Sequence, residues 1–459
     1  MEVFTMDAKE QIAILIANAR KAQKELEKCN QEQIDSYVRA IGKVVYDNAE
    51  PYAKMAAEES RMGVYEDKIA KNRGKSKIIW NSLKGVPSVG VVERNPETGI
   101  TVVARPVGVV GAITPCTNPI VTPMCNAMFA IKGRNTIIVA PHPRTKKCNK
   151  VVIDAMNEAL AELGAPANII QTIEEPSIEA SSELMKGVDV VVATGGAGMV
   201  KSAYSSGKPA YGVGPGNVQC IIDTDADIAE CVPKIIAGRK FDNGIICSGE
   251  QTVIAHADQY DAIMAEFKKN KAVLITDAAE KAALREALFP GGVMNKDLVG
   301  QSVQKIAAAA GLNVPEGTPV ILVEADGFGK DDLFSKEKMC PVISTYKYNT
   351  FEEAVAIARA NLDVEGKGHS VSIHSNNREH LEYAGETIEV ARVLVNQICS
   401  TMNGGAFTNS LTPTTTLGCC SWGNNSISEN FGFKHLINYI RIAENLPNKA
   451  VPTDEEVWG

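Results

Sequence analysis

No stretch of about 18 apolar residues occurs in this chain, so no segment reads as a membrane-spanning helix. The opening MEVFTMDAKEQ lacks both a basic flank and an apolar core, which also removes the reading as a secretory signal. A dense basic stripe is missing too: with 47 Lys and Arg against 55 Asp and Glu, and a net charge of −8, nucleic acid is not an expected partner. There is no CxxC and no HExxH, and the 6 His are scattered, so no metal site is expected. The 11 Cys are not crowded as in a disulfide scaffold, which points to a reducing cytoplasm and to a buried packing role for most of them. Internal repeats and low-complexity segments are absent.

What the sequence does have is chain enough for two domains, since 459 residues exceed an ordinary single domain and about 200 residues each is the natural division. Ile12, Leu15, Ile16, Ala19 and Leu26 recur at helical spacing, as do Ile34, Tyr37, Val38, Ile41 and Val45, so two amphipathic helices are expected at the start. SVGVVERNPETGITVVARPVGVVGAITP interrupts β-rich runs with Asn-Pro-Glu-Thr-Gly, the pattern of a hairpin at about 88–106 that leads into a strand. NTIIVA (135–140), NIIQTI (168–173), VDVVVAT (188–194) and VQCIID (218–223) then alternate with helical stretches. Short, wholly apolar strands in such alternation predict a parallel sheet covered on both faces, with ligands beyond the carboxyl ends of its strands.

The alternation resumes after Cys247 with QTVIAHA, AVLIT and PVISTYKY, a second α/β domain, which puts the boundary near 235–245 and Cys247 beside a cleft. The tail passes through turn-rich LTPTTTLGCCSWGNNSISEN into HLINYIRIAENL, where Ile, Leu and Tyr on one face predict a last helix that packs on a neighbouring subunit.

Two glycine clusters stand out. VVATGGAGMVKSAY sets Thr194, Gly195, Gly196 and Gly198 between a strand and a helix, where backbone N–H groups can approach a phosphate; it is not GxGxxG, and a tight turn explains it equally well. AYGVGPGNVQ holds Gly212, Gly214, Gly216 and Asn217 in a fixed corner or a ligand contact. Cys247, in FDNGIICSGEQ, reads from its local string as a packing residue more readily than as a nucleophile.

Taken together, PVGVVGAITPCTNP, RNTIIVAPHPRTKK, ATGGAGMVKSAYSSGKPAYGVGPGN, FDNGIICSGEQ, EKMCPV and PTTTLGCCSWGNNSISEN resemble the CoA-acylating branch of the aldehyde dehydrogenase superfamily, in order and over nearly the whole chain. The nearest branch is that of CoA-dependent succinate-semialdehyde dehydrogenases, followed by the aldehyde half of bifunctional aldehyde–alcohol dehydrogenases; the chain stops at EEVWG, so the alcohol dehydrogenase half is not expected. The resemblance implies an α/β fold of two doubly wound domains plus a small β oligomerisation arm. Residues 1–240 would form the nucleotide-binding domain with the arm hairpin, 241–425 the catalytic domain, and 426–459 a tail with oligomerisation contacts in a homodimer or homotetramer. It also implies that Cys247 is the nucleophile, that the Asn118 amide joins the Cys247 N–H in an oxyanion hole, and that Glu337 binds the nicotinamide ribose. Thr194, Gly195 and Gly196 would contact the cofactor phosphates, with Pro141, His142 and Arg144 at its adenine end and Cys116 lining the same pocket.

A thiolate attacking an aldehyde carbon gives a tetrahedral adduct with charge on oxygen, and each donor aimed at that oxygen is worth ~3 kcal/mol. Loss of hydride to NAD or NADP leaves an acyl thioester on Cys247. The hydrolytic branch then activates water with a glutamate, and Val213 occupies the matching position here. Valine cannot take a proton, so coenzyme A is the expected acyl acceptor. Pro143 and Arg144 stand where that branch has an acid near the ribose, which admits NADP as well as NAD. Lys68, Lys71 and Arg73 are candidates to hold the carboxylate of succinate semialdehyde, or a solvated helix face; acetaldehyde, propionaldehyde and butyraldehyde are the alternative substrates. A hydrolytic enzyme and a non-catalytic passenger of a bacterial microcompartment are the competing readings.

Overall fold

The computed structural model describes residues 7–459. Helices Ala8–Leu26 and Gln31–Asp47 open the chain where the periodicity predicts them, each started by a side-chain cap, Asp7 and Asn30. A hairpin of β1 (Gly90–Asn95) and β2 (Ile100–Pro106) follows. Next come β3 (Val109–Ile113), β4 (Thr136–Ala140), β5 (Ile170–Thr172), β6 (Val190–Thr194) and β7 (Ala210–Val213), which form one parallel sheet in the order β5-β4-β3-β6-β7. Alternate residues of these strands feed two different cores: Val110, Ala112, Ile137 and Val139 face one, Val109, Ile113, Ile138 and Ala140 the other. Burial on both faces is why the strands read as continuous apolar runs.

The second sheet is also parallel and contains β8 (Gln219–Ile222), β9 (Thr252–His256), β10 (Val273–Ile275), β11 (Ile321–Glu324), β12 (Val342–Tyr348), β13 (Val371–His374) and β14 (Val393–Val395), in the order β10-β11-β12-β9-β8-β13-β14. β8 therefore lies between β9 and β13 rather than in the first sheet, and the helix Ile228–Lys240 packs Val232, Ile235 and Ile236 against Val253 and Ile343. Taking the first domain as far as residue 240 overruns by this strand and helix; the chain changes sheets at 214–218. A local alternation of strand and helix carries no mark of which sheet a strand joins.

The tail differs too. Residues Ile437–Ala443 form β15, not a helix, and pair antiparallel with β2 over the full length of the strand, from Ile437 opposite Pro106 to Ala443 opposite Ile100. The free edge of β2 outweighs a weak helical spacing, because pairing satisfies the backbone groups that an isolated edge leaves to water. The arm is thus a three-stranded sheet, β1-β2-β15. No helix among the described residues is long and apolar enough to cross a membrane.

Ahead of Cys247 the chain makes an unusual turn, with Asp242, Asn243 and Gly244 all at positive φ (52°, 53° and 69°). Asp and Asn tolerate the left-handed region better than other side chains, but two in succession need support. It comes from helix Tyr65–Leu83. The buried Asp242 carboxylate accepts from Val64 N (2.8 Å), Lys68 Nζ and Lys71 Nζ (2.7 Å), and Asp67 accepts from Asp242 N at 2.7 Å. The two cations hold Asp242 below the usual carboxylate range against the opposing effect of burial. Removing one partner of a buried pair strands the rest, at ~3 kcal/mol or more. Asp242→Asn is accordingly expected to lower the unfolding free energy by about 3 kcal/mol in urea titration, and an unchanged midpoint would show that the turn does not depend on this anchor.

Candidate active site

In the first sheet β3 sits at the point where strand order reverses, with β4 on one side and β6 on the other, and such a switch point leaves a crevice beyond the carboxyl ends. Here that crevice is a cavity of about 1140 Å³. Cys116 and Asn118 enter it from the end of β3, Pro141, His142 and Arg144 from the end of β4, Thr194, Gly195 and Gly196 from the end of β6, and Val213 from the end of β7. The opposite wall comes from segments that precede strands of the second sheet: Cys247 before β9 and Glu337 before β12. Carboxyl ends of one sheet thus face amino ends of the other, and the catalytic and cofactor residues expected from the sequence all lie on this cavity, whereas Lys68 and Arg73 do not.

Cys247 is half-buried, against a small apolar cluster of Val213, Leu417 and Cys419. Burial pushes its thiol up to about 12, helped by Glu337 and Cys419 and opposed by Arg392. At rest it is a thiol. Its position is fixed by the Gly-Pro-Gly-Asn corner: a Cβ on Gly216 would stand 2.0 Å from the Cys247 carbonyl oxygen, so only glycine fits. Asn217 locks the corner, donating to the Ser335 and Glu365 carbonyls at 2.7 and 3.0 Å. The corner is structural first, and the structural role is what brings the two sheets together at the thiol.

Glu337 is bonded on one oxygen by Gly216 N at 3.1 Å. Burial and then the neighbouring Glu365 raise it to about 8, with the Gly216 N–H acting in the other direction. Asn118 makes no side-chain hydrogen bond to the described residues, which leaves its amide free to donate into the cavity. Thr194 Oγ1 is buried without a partner, and a Cβ on Gly196 would project into open space. The helix Ala197–Tyr204 that follows has no side-chain cap. An orphan hydroxyl, an uncapped helix start and open glycine backbone fit a phosphate-bearing cofactor. His142 is committed locally, its Nδ1 accepting from Arg144 N at 3.1 Å. Arg144 is exposed and has no carboxylate partner among the described residues.

The charge run on helix Tyr65–Leu83 is resolved differently from either expectation. Lys68 and Lys71 are buried on Asp242, and Arg73 points outward to Glu50 at 2.8 Å. None of the three is free for a substrate carboxylate. One cation on this helix that is free of carboxylates was missed: Lys75 lines the cavity, donates only to the Gly404 carbonyl (2.8 Å), and has no carboxylate partner among the described residues. Burial, with Lys71 nearby, lowers it to about 8, so it carries its charge at neutral pH. Thr415 Oγ1, also on the cavity, is buried and unpartnered. Spacing gives no signal that separates Lys75 from Lys68 and Lys71, because their partner Asp242 is remote in sequence.

A nucleotide-type sheet opposed to a thiol across one cavity makes this a cofactor-dependent oxidoreductase. The chain belongs to the aldehyde dehydrogenase family, whose model matches residues 2–408. It is 56% identical over 445 residues to a succinate-semialdehyde dehydrogenase (acetylating) of Clostridium kluyveri, covering 97% of this chain and 98% of the relative. The crystal structure of an acetylating aldehyde dehydrogenase from Geobacillus thermoglucosidasius superimposes with a TM-score of 0.93 at 37% identity, covering 97% of this chain and 98% of the other. A propionaldehyde dehydrogenase of Rhodopseudomonas palustris, solved with bound CoA and an acylated cysteine, superimposes with a TM-score of 0.85 at 28% identity, covering 94% of this chain and 97% of that one.

The Gly216 contact gives a direct test of the geometry. Gly216→Ala is expected to lower kcat by at least about tenfold, because it displaces the Cys247 backbone, and full activity in a folded variant would mean that the corner does not position the thiol.

Proposed function

We propose that the protein catalyses the reversible NAD(P)-linked oxidation of an aldehyde bearing a distal carboxylate, with succinate semialdehyde as the best candidate, to its CoA thioester. The observation that carries this reading is the set of groups on one cavity: the Cys247 thiol packed against Val213, which offers no base to water, and the free Asn118 amide on the same cavity. Cys247 attacks the aldehyde carbon, and the charge that develops on oxygen is met by the Asn118 amide and the Cys247 N–H, each worth ~3 kcal/mol. Thr194, Gly195 and Gly196 would hold the phosphates of NAD(P)+, Glu337 its nicotinamide ribose, and Pro141, His142 and Arg144 its adenine end, and the cofactor would supply the hydride acceptor when bound. Loss of hydride re-forms the carbonyl as a thioester on Cys247. Val213 offers water no base, whereas the CoA thiol displaces Cys247 in an exchange of one thioester for another.

Lys75 supports the carboxylate-bearing substrate. A buried ammonium with one neutral partner has donors to spare, and the unpartnered Thr415 hydroxyl shares its wall of the cavity. The relative from Clostridium kluyveri carries succinate semialdehyde in its name, which agrees with an anion at this position. Arg144, free of any acid, supports acceptance of NADP alongside NAD.

The same reading places the enzyme in the cytoplasm: all 11 cysteines are free and nine of them are buried, which suits a reducing compartment. It also includes a homodimer or homotetramer built on the arm: Val91, Ile440 and Ile442 are exposed at 45%, 48% and 51% on the small sheet.

The test is CoA-dependent NAD(P)H formation with succinate semialdehyde and with butyraldehyde, products identified by mass spectrometry. Cys247→Ala should abolish turnover. Lys75→Met should lower kcat/KM for succinate semialdehyde by roughly tenfold or more, the worth of a charge-assisted hydrogen bond, and leave butyraldehyde within about threefold. Because Lys75 loses its proton near pH 8, KM for succinate semialdehyde should rise above that pH and stay level below it. Equal losses for both aldehydes in Lys75→Met would remove the carboxylate assignment, and equal turnover without CoA would remove the acylating one.

A further inference from the structure

Gly74 stands in the middle of the 19-residue helix Tyr65–Leu83, where glycine is a poorer helix former than alanine. Two other helix glycines have a steric reason for lacking a side chain. A Cβ on Gly42 would stand 3.1 Å from Met128 Cε, and one on Gly238 would stand 2.0 Å from Glu250 Oε2. Around Gly74 nothing lies within 4 Å of the Cβ position, and its φ is not in the left-handed region, so the local structure has room for a side chain. The helix forgoes stability here without gaining a closer contact.

What the missing side chain leaves open is the active-site cavity. Ala70, Lys71, Gly74, Lys75 and Ile78 line it, at the spacing of one helix face. Residues 404–407 line it too, and two contacts tie that segment to the same helix. At its start Lys75 Nζ donates to the Gly404 carbonyl at 2.8 Å, and a Cβ on Gly404 would stand only 2.7 Å from that nitrogen. At its end the Phe407 ring lies under Lys77, with Nζ 5.8 Å from the ring centroid. Gly74 is exposed and Phe407 is 63% exposed, so the cavity opens to solvent along this edge, directly beside Lys75.

We propose that Gly74 sets the length of aldehyde that the cavity admits: the room left by its absent side chain takes the distal end of a four-carbon chain beside Lys75. A side chain at this position narrows that room from the helix side, and a pocket that has lost the volume of a methylene or more discriminates against the longer substrate. The proposal rests on the reading of Lys75 as partner of a substrate carboxylate only for the identity of the distal group. The limit on length is steric and holds for an uncharged aldehyde as well.

The test compares the parent enzyme with Gly74→Ala and Gly74→Leu, since alanine and leucine are both good helix formers. Each is assayed with acetaldehyde, butyraldehyde and succinate semialdehyde in the presence of CoA and NAD(P)+. The kcat/KM for butyraldehyde relative to acetaldehyde should fall by about threefold in Gly74→Ala and by about tenfold or more in Gly74→Leu, with succinate semialdehyde falling at least as far as butyraldehyde. The urea midpoint of both variants should match or exceed that of the parent. A butyraldehyde-to-acetaldehyde ratio unchanged within about twofold in both variants would overturn the proposal. So would a lowered midpoint with equal losses for the two aldehydes, which is what a glycine needed only by the helix would give. A parent enzyme that ignores succinate semialdehyde, while the ratio for the uncharged aldehydes falls as stated, would remove the carboxylate reading and leave the length limit standing.

Discussion

The contact between Gly216 and the Cys247 carbonyl is the constraint on which the rest of the site depends. The chain leaves the carboxyl end of one parallel sheet at Val213 and enters the amino end of the other at Gln219, and the few residues between must turn in a space already occupied by the cysteine loop. Gly216 admits that approach because it has no Cβ. Asn217 then ties the corner to Ser335 and Glu365, the Gly216 N–H reaches Glu337, and the second sheet is brought into register with the cofactor crevice of the first. From the other side the Asp242 anchor holds the same loop against helix Tyr65–Leu83. The thiol is positioned between two backbone clamps, neither of which touches a substrate.

Electrostatics favour a nucleophile that is dormant until the site is filled. Burial wins at Cys247, raising its thiol well above neutrality, and Val213 and Leu417 add apolar contact rather than a base. An uncharged resting thiol is protected from stray alkylation and oxidation, which proceed through the thiolate. The apolar lining near the sulfur also explains the choice of acyl acceptor: water needs a base to attack a thioester, and another thiol needs little help. Hydrolysis is disfavoured by what stands next to Cys247, and a carboxylate-bearing aldehyde is favoured by Lys75 on the same cavity.

Much of this was legible in the sequence, for reasons that differ by element. Strands buried on both faces announce themselves as apolar runs, and the motifs around Cys247, Asn118, Thr194 and Glu337 identify residues whose chemistry is local to a loop. What the sequence did not reveal depends on partners far along the chain. β8 looks like one more strand of the first sheet until β9 and β13 flank it. β15 has Ile437 and Ile440 at helical spacing, yet it answers to the open edge of β2. Lys68, Lys71 and Lys75 form one charge run, and only the fold commits the first two to Asp242 and leaves the third to the cavity.

The central claim is that the acyl group rests on Cys247 and leaves on CoA. The most direct measurement is the mass of the intact enzyme and of its Cys247 peptide after a single turnover with succinate semialdehyde and NAD(P)+, before and after CoA is added. The account predicts a succinyl adduct on Cys247 that persists without CoA and is discharged as succinyl-CoA when CoA arrives. An adduct that decays to free succinate at the same rate without CoA, or one carried by a different residue, would contradict it.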